Sequence, residues 1–305
     1  MNTKPYDVIA FGGLYLDINT SGLPFDHSGI PVETEILGSK YVALPGGSGV
    51  NFVRRLQRFG LAGLFIGMKG GDATGALVEQ LLADERIAAC LISDEGAQTN
   101  VGLNMVSNDG DHAVFSVGSA NQALTAQLLL PELAKELTSE TFLYFGTLYK
   151  LDGLSAHFMD IVALAKKQQT TMVVDHGRIT PGVLAERYEQ VREVVLAADY
   201  YLPSKAEFLE TWEVSSIEAG LRMLQERAPQ LITVVKDGSR GAHYLEDGMV
   251  KTVPAVKGIH AGNVTGAGDT FNAGFIAALK QGQTFSLAVA HGCEVAAAHI
   301  ANQLP

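Results

Sequence analysis

An α/β architecture, with a mainly parallel central sheet and helices on both faces, follows from three features of this 305-residue chain. Short apolar runs alternate with amphipathic stretches for most of its length, the trace left by strand–helix–strand units. The apolar runs are continuous, as strands buried on both faces require. Two segments break the alternation with β-prone pieces, which adds a small sheet outside the main one.

The strand runs are Tyr6–Phe11 (YDVIAF), Gly63–Met68 (GLFIGM), Phe142–Phe145 (FLYF), Thr171–Asp175 (TMVVD), Asp199–Leu202 and Leu231–Lys236 (LITVVK). Between them, Val50–Phe59, Thr74–Asp84, Gly153–Gln168, Val183–Ala197 and Ser215–Arg227 read as helices. The first interruption, Leu14–Ala43, mixes Gly and Pro with short β-prone pieces such as Glu35–Leu37 and Lys40–Ala43. The second, Asn100–Gly118, reads as two strands around Asn108-Asp109-Gly110-Asp111, residues that tolerate the positive φ of a hairpin turn. Together they predict a small β-sheet projecting from the core as a lid or an interface. No repeat and no linker-like run divides the chain, so residues 1–305 are expected to form one domain.

Apolar residues make up 47% and charged residues 18%, enough for a large core and too apolar for disorder. The net charge of −11 argues against nucleic acid or an anionic membrane as the partner. Cys90 and Cys293 are too few and too far apart for a disulfide framework or a paired-cysteine zinc site, and read as small buried hydrophobes. Met1–Asp7 has one Lys and no long apolar stretch, unlike a signal peptide. No apolar run approaches the ~20 residues of a membrane span. A cytoplasmic location is therefore expected.

Several local signatures are missing. There is no Gly-Lys dipeptide, and therefore no Walker A loop, and no G-x-G-x-x-G, H-E-x-x-H, C-x-x-C or G-x-S-x-G. The most informative stretch is Asn263–Lys280, NVTGAGDTFNAGFIAALK. After Gly266-Ala267-Gly268, the residues Phe271, Phe275, Ala278 and Leu279 recur at helical spacing on one face. A small-residue turn opening a helix leaves backbone N–H groups unpaired at the positive end of the helix dipole. Such a site binds phosphate or a developing oxyanion, and Asp269 stands in its first turn. On these residues alone a second reading is equally open: a glycine turn with Asp269 as a cap.

Leu44-Pro45-Gly46-Gly47-Ser48-Gly49-Val50-Asn51 is a second glycine cluster opening a helix. It is either a tight turn or a place of close ligand approach, with Asn51 offering a donor and an acceptor. Lys236-Asp237-Gly238-Ser239-Arg240-Gly241 follows a strand. It reads as a hairpin turn into Ala242–Leu245 or as a ligand loop, since ligands of open α/β sheets bind beyond the carboxyl ends of the strands.

In combination these motifs resemble those of the ribokinase-like (PfkB-type) carbohydrate kinases, over nearly the whole chain. Thr265–Phe271 matches that family's Thr-Gly-Ala-Gly-Asp-Thr-Phe run residue for residue. Gly46–Asn51 is similar to its Gly-Gly-x-x-x-Asn, and Gly70–Gly75 to its Gly-x-Asp-x-x-Gly. Phe11-Gly12-Gly13 with Asp17 looks like its first strand and sugar-contacting Asp.

The resemblance implies a Rossmann-like, ribokinase-like α/β core with a β-lid from about Leu14–Ala43 and Asn100–Gly118. It implies transfer of the γ-phosphoryl of ATP to a substrate hydroxyl, with Asp269 as the base and the amides of Gly266, Ala267 and Gly268 as the anion hole. Asp17, Gly46, Gly47 and Asn51 would hold a sugar or nucleoside substrate. Lys236, Asp237, Gly238 and Gly241 would lie along the nucleotide, with His291 near the adenine. Glu207 would act on bound Mg2+ through water. Two lids would pair into a homodimer. That phosphoryl transfer needs positioning and charge stabilisation more than covalent chemistry fits this assignment.

Three positions depart from the family's pattern. Ser204 in Ser204-Lys205-Ala206-Glu207 replaces the Asn of an Asn-x-x-Glu. Asn263 replaces an Asp, which predicts a weak or absent monovalent-cation (K+) site. Gly146 stands where ribokinases have a sugar-contacting Glu, which disfavours ribose itself. Two classes of function remain: an ATP-dependent kinase for a sugar, sugar acid or nucleoside, and a catalytically silent ligand-binding protein of the same fold. Other residues read as background. His112, His157, His176 and His243 have no metal spacing and are expected on loops or the surface. Trp212 is expected in packing, and Arg54, Arg55 and Arg58 on a solvated helix face.

Overall fold

The computed structural model describes residues 6–23, 35, 37–107, 112–179, 182–259 and 266–301. The first stretch holds β1 (Val8–Phe11), β2 (Tyr15–Ser21), β3 (Lys40–Gly46) and α1 (Ser48–Gln57). Then come β4 (Gly63–Gly70), α2 (Ala73–Asp84), β5 (Ala88–Asp94), β6 (Asn100–Val106) and β7 (His112–Val117). The middle carries α3 (Ala120–Ala123), α4 (Ala126–Glu136), β8 (Phe142–Gly146), α5 (Phe158–Lys167), β9 (Thr171–Asp175) and α6 (Ala185–Ala197). The last third carries β10 (Tyr200–Tyr201), α7 (Lys205–Trp212), α8 (Ile217–Arg227), β11 (Ile232–Lys236), β12 (Ala242–Glu246) and β13 (Met249–Val253). Two helices, α9 (Ala267–Lys280) and α10 (Phe285–Ile300), close the chain.

Nine strands form the main sheet in the order β13-β12-β11-β10-β9-β8-β1-β4-β5. From β11 to β5 every pairing is parallel, and β12 and β13 add an antiparallel edge. Successive side chains of a strand point to opposite faces, and the two cores obey this. Ile9 and Phe11 of β1 join Leu143, Phe145 and Val174 in one cluster. Val8 and Ala10 join Tyr144, Val173 and Val234 in the other. The strand order reverses at β1, between β4 on one side and β8 on the other, and open α/β sheets bind ligands beyond the carboxyl ends at such a point.

The smaller sheet runs β3-β2-β6-β7, built from the two segments that break the alternation; residues 24–34, 36 and 108–111 of those segments lie outside the described residues. Its register sorts the side chains. Tyr15 pairs with Asn100, Asp17 with Leu44 and Gly102, and Gly102 with Ser116, so these residues share one face. The opposite face leaves Tyr41, Phe115 and Val117 largely exposed, at 70%, 50% and 65%. Two side chains, buried Asn121 and half-buried Asp72, fix where this sheet leaves the core. Asn121 bonds both backbone groups of Leu14. Asp72 caps α2 through Gly75 N–H and also accepts from the N–H and hydroxyl of Thr99.

Five elements were not legible as such. β5 is a half-buried edge strand whose apolar run is made mostly of small residues, Ala88-Ala89-Cys90, α4 contains Pro131, and α3, α7 and β13 are short. The helix expected from Gly153 starts as a 3-10 turn and becomes α-helical only at Phe158. The single apolar face expected of α9 is also corrected: Thr270–Ala278 are all buried, because α1 and α10 both pack on this helix. No described helix is long and apolar enough to cross a membrane.

Candidate active site

Two glycine turns bring the site together. Gly47 has φ 102 and lies so close to Gly13 that a Cβ would sit 2.1 Å from its carbonyl oxygen, so only glycine fits. This places Ser48 at the start of α1, where its hydroxyl donates to Asp269 Oδ1 at 2.7 Å. Gly266, with φ 79, is the N-cap of α9 and puts Asp269 in that helix's first turn. The first-turn N–H groups of Ala267 and Gly268 have no intrahelical acceptor.

Protein crowds the Asp269 carboxylate although the cleft leaves it partly accessible. Burial pushes its carboxyl up to about 7; Ser48 opposes this, Asp175 reinforces it, and Lys236 and Arg55 oppose it. Behind it lies a network at the carboxyl ends of three strands. Lys236 Nζ donates to Asp175 Oδ2 at 2.7 Å and to Asn272 Oδ1 at 3.1 Å. Asn272 Nδ2 in turn donates to Asp175 at 2.6 Å and to Tyr144 Oη at 3.0 Å. Burial disfavours the Asp175 anion, but the Lys236 ammonium, the Asn272 hydrogen bond and His176 together hold its carboxyl below the ordinary value. A Cβ on Gly268 would lie 3.4 Å from Lys236 Nζ, and one on Gly266 3.6 Å from Arg55 Nη2. Two cations therefore flank the start of α9.

Asp17 stands across the same glycine turn. A Cβ on Gly46 would fall 1.9 Å from its Oδ2, and one on Gly102 2.4 Å from its Oδ1, so the carboxylate fills a slot that both glycines leave. Burial pushes the Asp17 carboxyl up to about 6, against Lys150, Arg54 and the Gly47 N–H. Gly46-Gly47-Ser48 thus touches Asp17 at one end and Asp269 at the other. Asn51 Oδ1 accepts from Arg54 Nη1, and Arg54 also binds the Pro45 carbonyl at 2.6 Å and Glu85 at 2.5 Å.

The loop after β11 is the hairpin entry into β12. Asp237 is held by Arg240 through two bonds of 2.7 Å, with Lys205 and His243 nearby. Gly241 has φ 92 and a Cβ there would meet the Val253 carbonyl at 2.0 Å, whereas Gly238 faces open space. Glu207 accepts from the Ser204 N–H at 2.9 Å and the Ser204 hydroxyl at 2.6 Å, a capping box at the start of α7. His291 packs edge-on against Phe59, 5.6 Å between centroids. The α10 histidine beside Gly266 is His299, 3.5 Å from where a Cβ there would sit. Asn263 and Thr265 lie outside the described residues.

Two background readings need correction. His176 lies in the loop after β9, as one arm of that reading has it, but is fully buried and not on the surface: Nδ1 lies 2.9 Å from the Gly177 carbonyl and Nε2 2.7 Å from Tyr201 Oη. Burial holds its pKa below the usual value. Arg54 and Arg55 are half-buried and only Arg58 is solvated, because the first two turn toward the cleft. Trp212 is buried and packs on Tyr201. Among the described residues no three His, Cys, Asp or Glu converge on a metal.

Sequence reasoning missed Ser48, Arg55, Asp175, Gly102 and Asn272. Asp175 left a signal, a carboxylate closing the apolar strand TMVVD at its carboxyl end.

Comparison with known proteins bears on the fold and the family. The chain is 22% identical to a ribokinase of Haemophilus influenzae over 271 residues, 88% of this chain and 84% of that one. It is 24% identical over 238 residues to fructokinase-1 of Zea mays, 76% of this chain and 72% of that one. Its fold superposes on a putative ribokinase II of E. coli with a TM-score of 0.81 at 20% identity, covering 98% and 94% of the two chains. Residues 11–304 match the pfkB family carbohydrate kinase pattern. The chain therefore belongs to the pfkB family of carbohydrate kinases, phosphotransferases with an alcohol acceptor, on a ribokinase-like fold.

Proposed function

We propose that this kinase transfers the γ-phosphoryl group of ATP to a hydroxyl of a small sugar or sugar-like substrate, with Asp269 as the general base. The observation that carries this reading is the Gly46-Gly47-Ser48 turn, which touches Asp17 on one side and Asp269 on the other. Asp17, with Gly46, Gly47 and Asn51, holds substrate hydroxyls; Asp269 takes the proton of the one that reacts. As that oxygen bonds to the γ-phosphorus, the bond to the β-phosphate oxygen breaks and ADP leaves. A carboxyl titrating at about 7 suits this role, since a base works best near the operating pH. The amides of Gly266, Ala267 and Gly268 form the anion hole, and Lys236 and Arg55 add positive charge where negative charge spreads in the transition state.

Lys236, Asp237, Gly238 and Gly241 line the nucleotide side, and His291 is assigned to its adenine end. Of these Gly238 is the open position, while Asp237 and Gly241 shape the loop. The donor set fits a Mg2+ ion carried on the nucleotide phosphates rather than in a protein cage, as that ion keeps several waters. When bound it would neutralise phosphate charge, and Glu207, whose carboxylate closes the capping box, would act on it through water. K+ is expected to stimulate weakly, given Asn263.

A coupled ADP-release assay over sugars, sugar acids, sugar phosphates and nucleosides tests this reading. Turnover stimulated by one sugar class supports it; best turnover with nucleosides moves the acceptor to that class. A silent binding protein gives no stimulated release. The exposed Tyr41, Phe115 and Val117 face of the small sheet favours lid-to-lid pairing, since apolar edges seek cover. Light scattering is expected to give a dimeric mass at micromolar concentration, and Phe115→Glu a monomer; a monomeric wild type sinks the dimer.

A further inference from the structure

A cavity of about 800 Å3 opens under the lid on the face that carries Asp17. Tyr15, Asn100, Val114 and Ser116 line it from the lid, and they share Asp17's side of that sheet by register. The facing wall is basic: Lys150, Arg178 and Arg187 all line it. Lys150 and Arg178 make no hydrogen bond or ion pair with a described residue. Lys150 has only the Tyr15 ring, 5.9 Å away, and the fields of Asp17 and Arg178. Arg187 binds Asp152 at 2.9 Å through Nη2, while its Nη1 is buried without a partner.

We propose, on the strength of the kinase reading above, that the acceptor is an anionic sugar whose carboxylate or phosphate sits between Lys150 and Arg178 while its hydroxyls face Asp17. Two like charges facing one space, Lys150 half-buried and Arg178 exposed, repel each other, and an anion between them removes that cost. Burial and Arg178 hold the Lys150 ammonium below its usual pKa, with Asp17 opposing, as expected of a cation lacking its counter-ion. The acids on this wall do not supply one: Asp152 is committed to Arg187, and Glu186 is exposed on the first turn of α6. Asp17 itself repels a second anion, so the charged end of the substrate turns toward Lys150. A chain of net charge −11 gives no general attraction for anions, so this local basic wall is selective. A neutral sugar leaves the half-buried Lys150 ammonium unmatched. Lys150 contributes a point charge and Arg178 a fork that meets carboxylate or phosphate through two bonds.

The test compares sugar acids, sugar phosphates and the matching neutral sugars as acceptors for wild type, Lys150→Gln and Arg178→Ala. The expected result is an anionic acceptor preferred over its neutral counterpart. Each variant should raise its KM about tenfold or more with a smaller change in kcat; the arm that responds identifies the charged group. Neutral sugars turned over best, with KM unchanged in both variants, overturn the inference and leave the kinase reading standing. No ADP release from any sugar, with thermal stabilisation by an anionic sugar that Lys150→Gln abolishes, overturns the kinase reading but supports this pocket. Neither release nor stabilisation overturns both.

Discussion

Asp269→Asn is expected to lower kcat by about 10²–10⁴-fold, with little change in the affinity for ATP. Carboxylate and amide are nearly isosteric, and the amide oxygen can still accept the Ser48 hydroxyl. What the variant lacks is the capacity to take the acceptor proton. The backbone N–H groups at the start of α9 remain in place, so a residual rate survives. The loss therefore falls on kcat. Stability should move the other way. The folded carboxyl titrates at about 7, above its ordinary 3.8, so the folded chain binds that proton more tightly than the unfolded one. The stability tied to the proton is complete below pH 3.8 and lost as the pH rises through 7. Calorimetry should thus find the variant more stable than wild type at pH 8, with the gap closing toward pH 4. A variant retaining more than about half its kcat, as a mere cap would, removes Asp269 from the chemistry.

Lys236→Met should cost more stability than any other single change at the site. Lys236 and Asp175 are 13% and 9% exposed at 2.7 Å, and removing one partner of a buried pair leaves an uncompensated charge, at a cost of about 3–5 kcal/mol. In a chain of this size that lowers Tm by about 5–10 °C. The double variant Lys236→Met/Asp175→Asn should recover much of the loss, because the amide that replaces the Asp175 carboxylate carries no charge and can still pair with Asn272. Its activity should stay low, since the cation beside Gly268 is gone. Equal Tm values for the single and double variants would show that the pair is not what stabilises this end of the sheet.

The strands that position the site were legible because they are buried on both faces: TMVVD and FLYF coincide with β9 and β8 to within one residue. The half-buried edge β5 was harder to read because Ala88, Ala89 and Cys90 are small and weakly β-prone, although Leu91 and Ile92 continue the apolar run. Ser204-Lys205-Ala206-Glu207 shows how one pattern carries two meanings. It reads as an Asn-x-x-Glu pattern with Ser204 in place of the Asn, yet the side chains close a capping box on α7. Within the site, Asp269 and the glycine turns were visible because a helix start is a local feature. Ser48 and Asp175 were not, since Ser48 lies 221 residues from Asp269 and Asp175 lies 97 from Asn272, and only the fold brings them together. Arg55 shared its spacing with Arg54 and Arg58, and its burial depends on α9 packing against α1.

The pH dependence of kcat/KM for the acceptor, measured for wild type and Asp269→Asn side by side, tests the assignment of the base most directly. Wild type should lose activity tenfold per pH unit on the acid side of a break near 7, as the Asp269 carboxyl takes up its proton. The variant should keep its low rate with that break absent. The same break in both proteins, or a wild-type profile flat from pH 5 to 8 on the order-of-magnitude scale of this shift, would contradict Asp269 as the base.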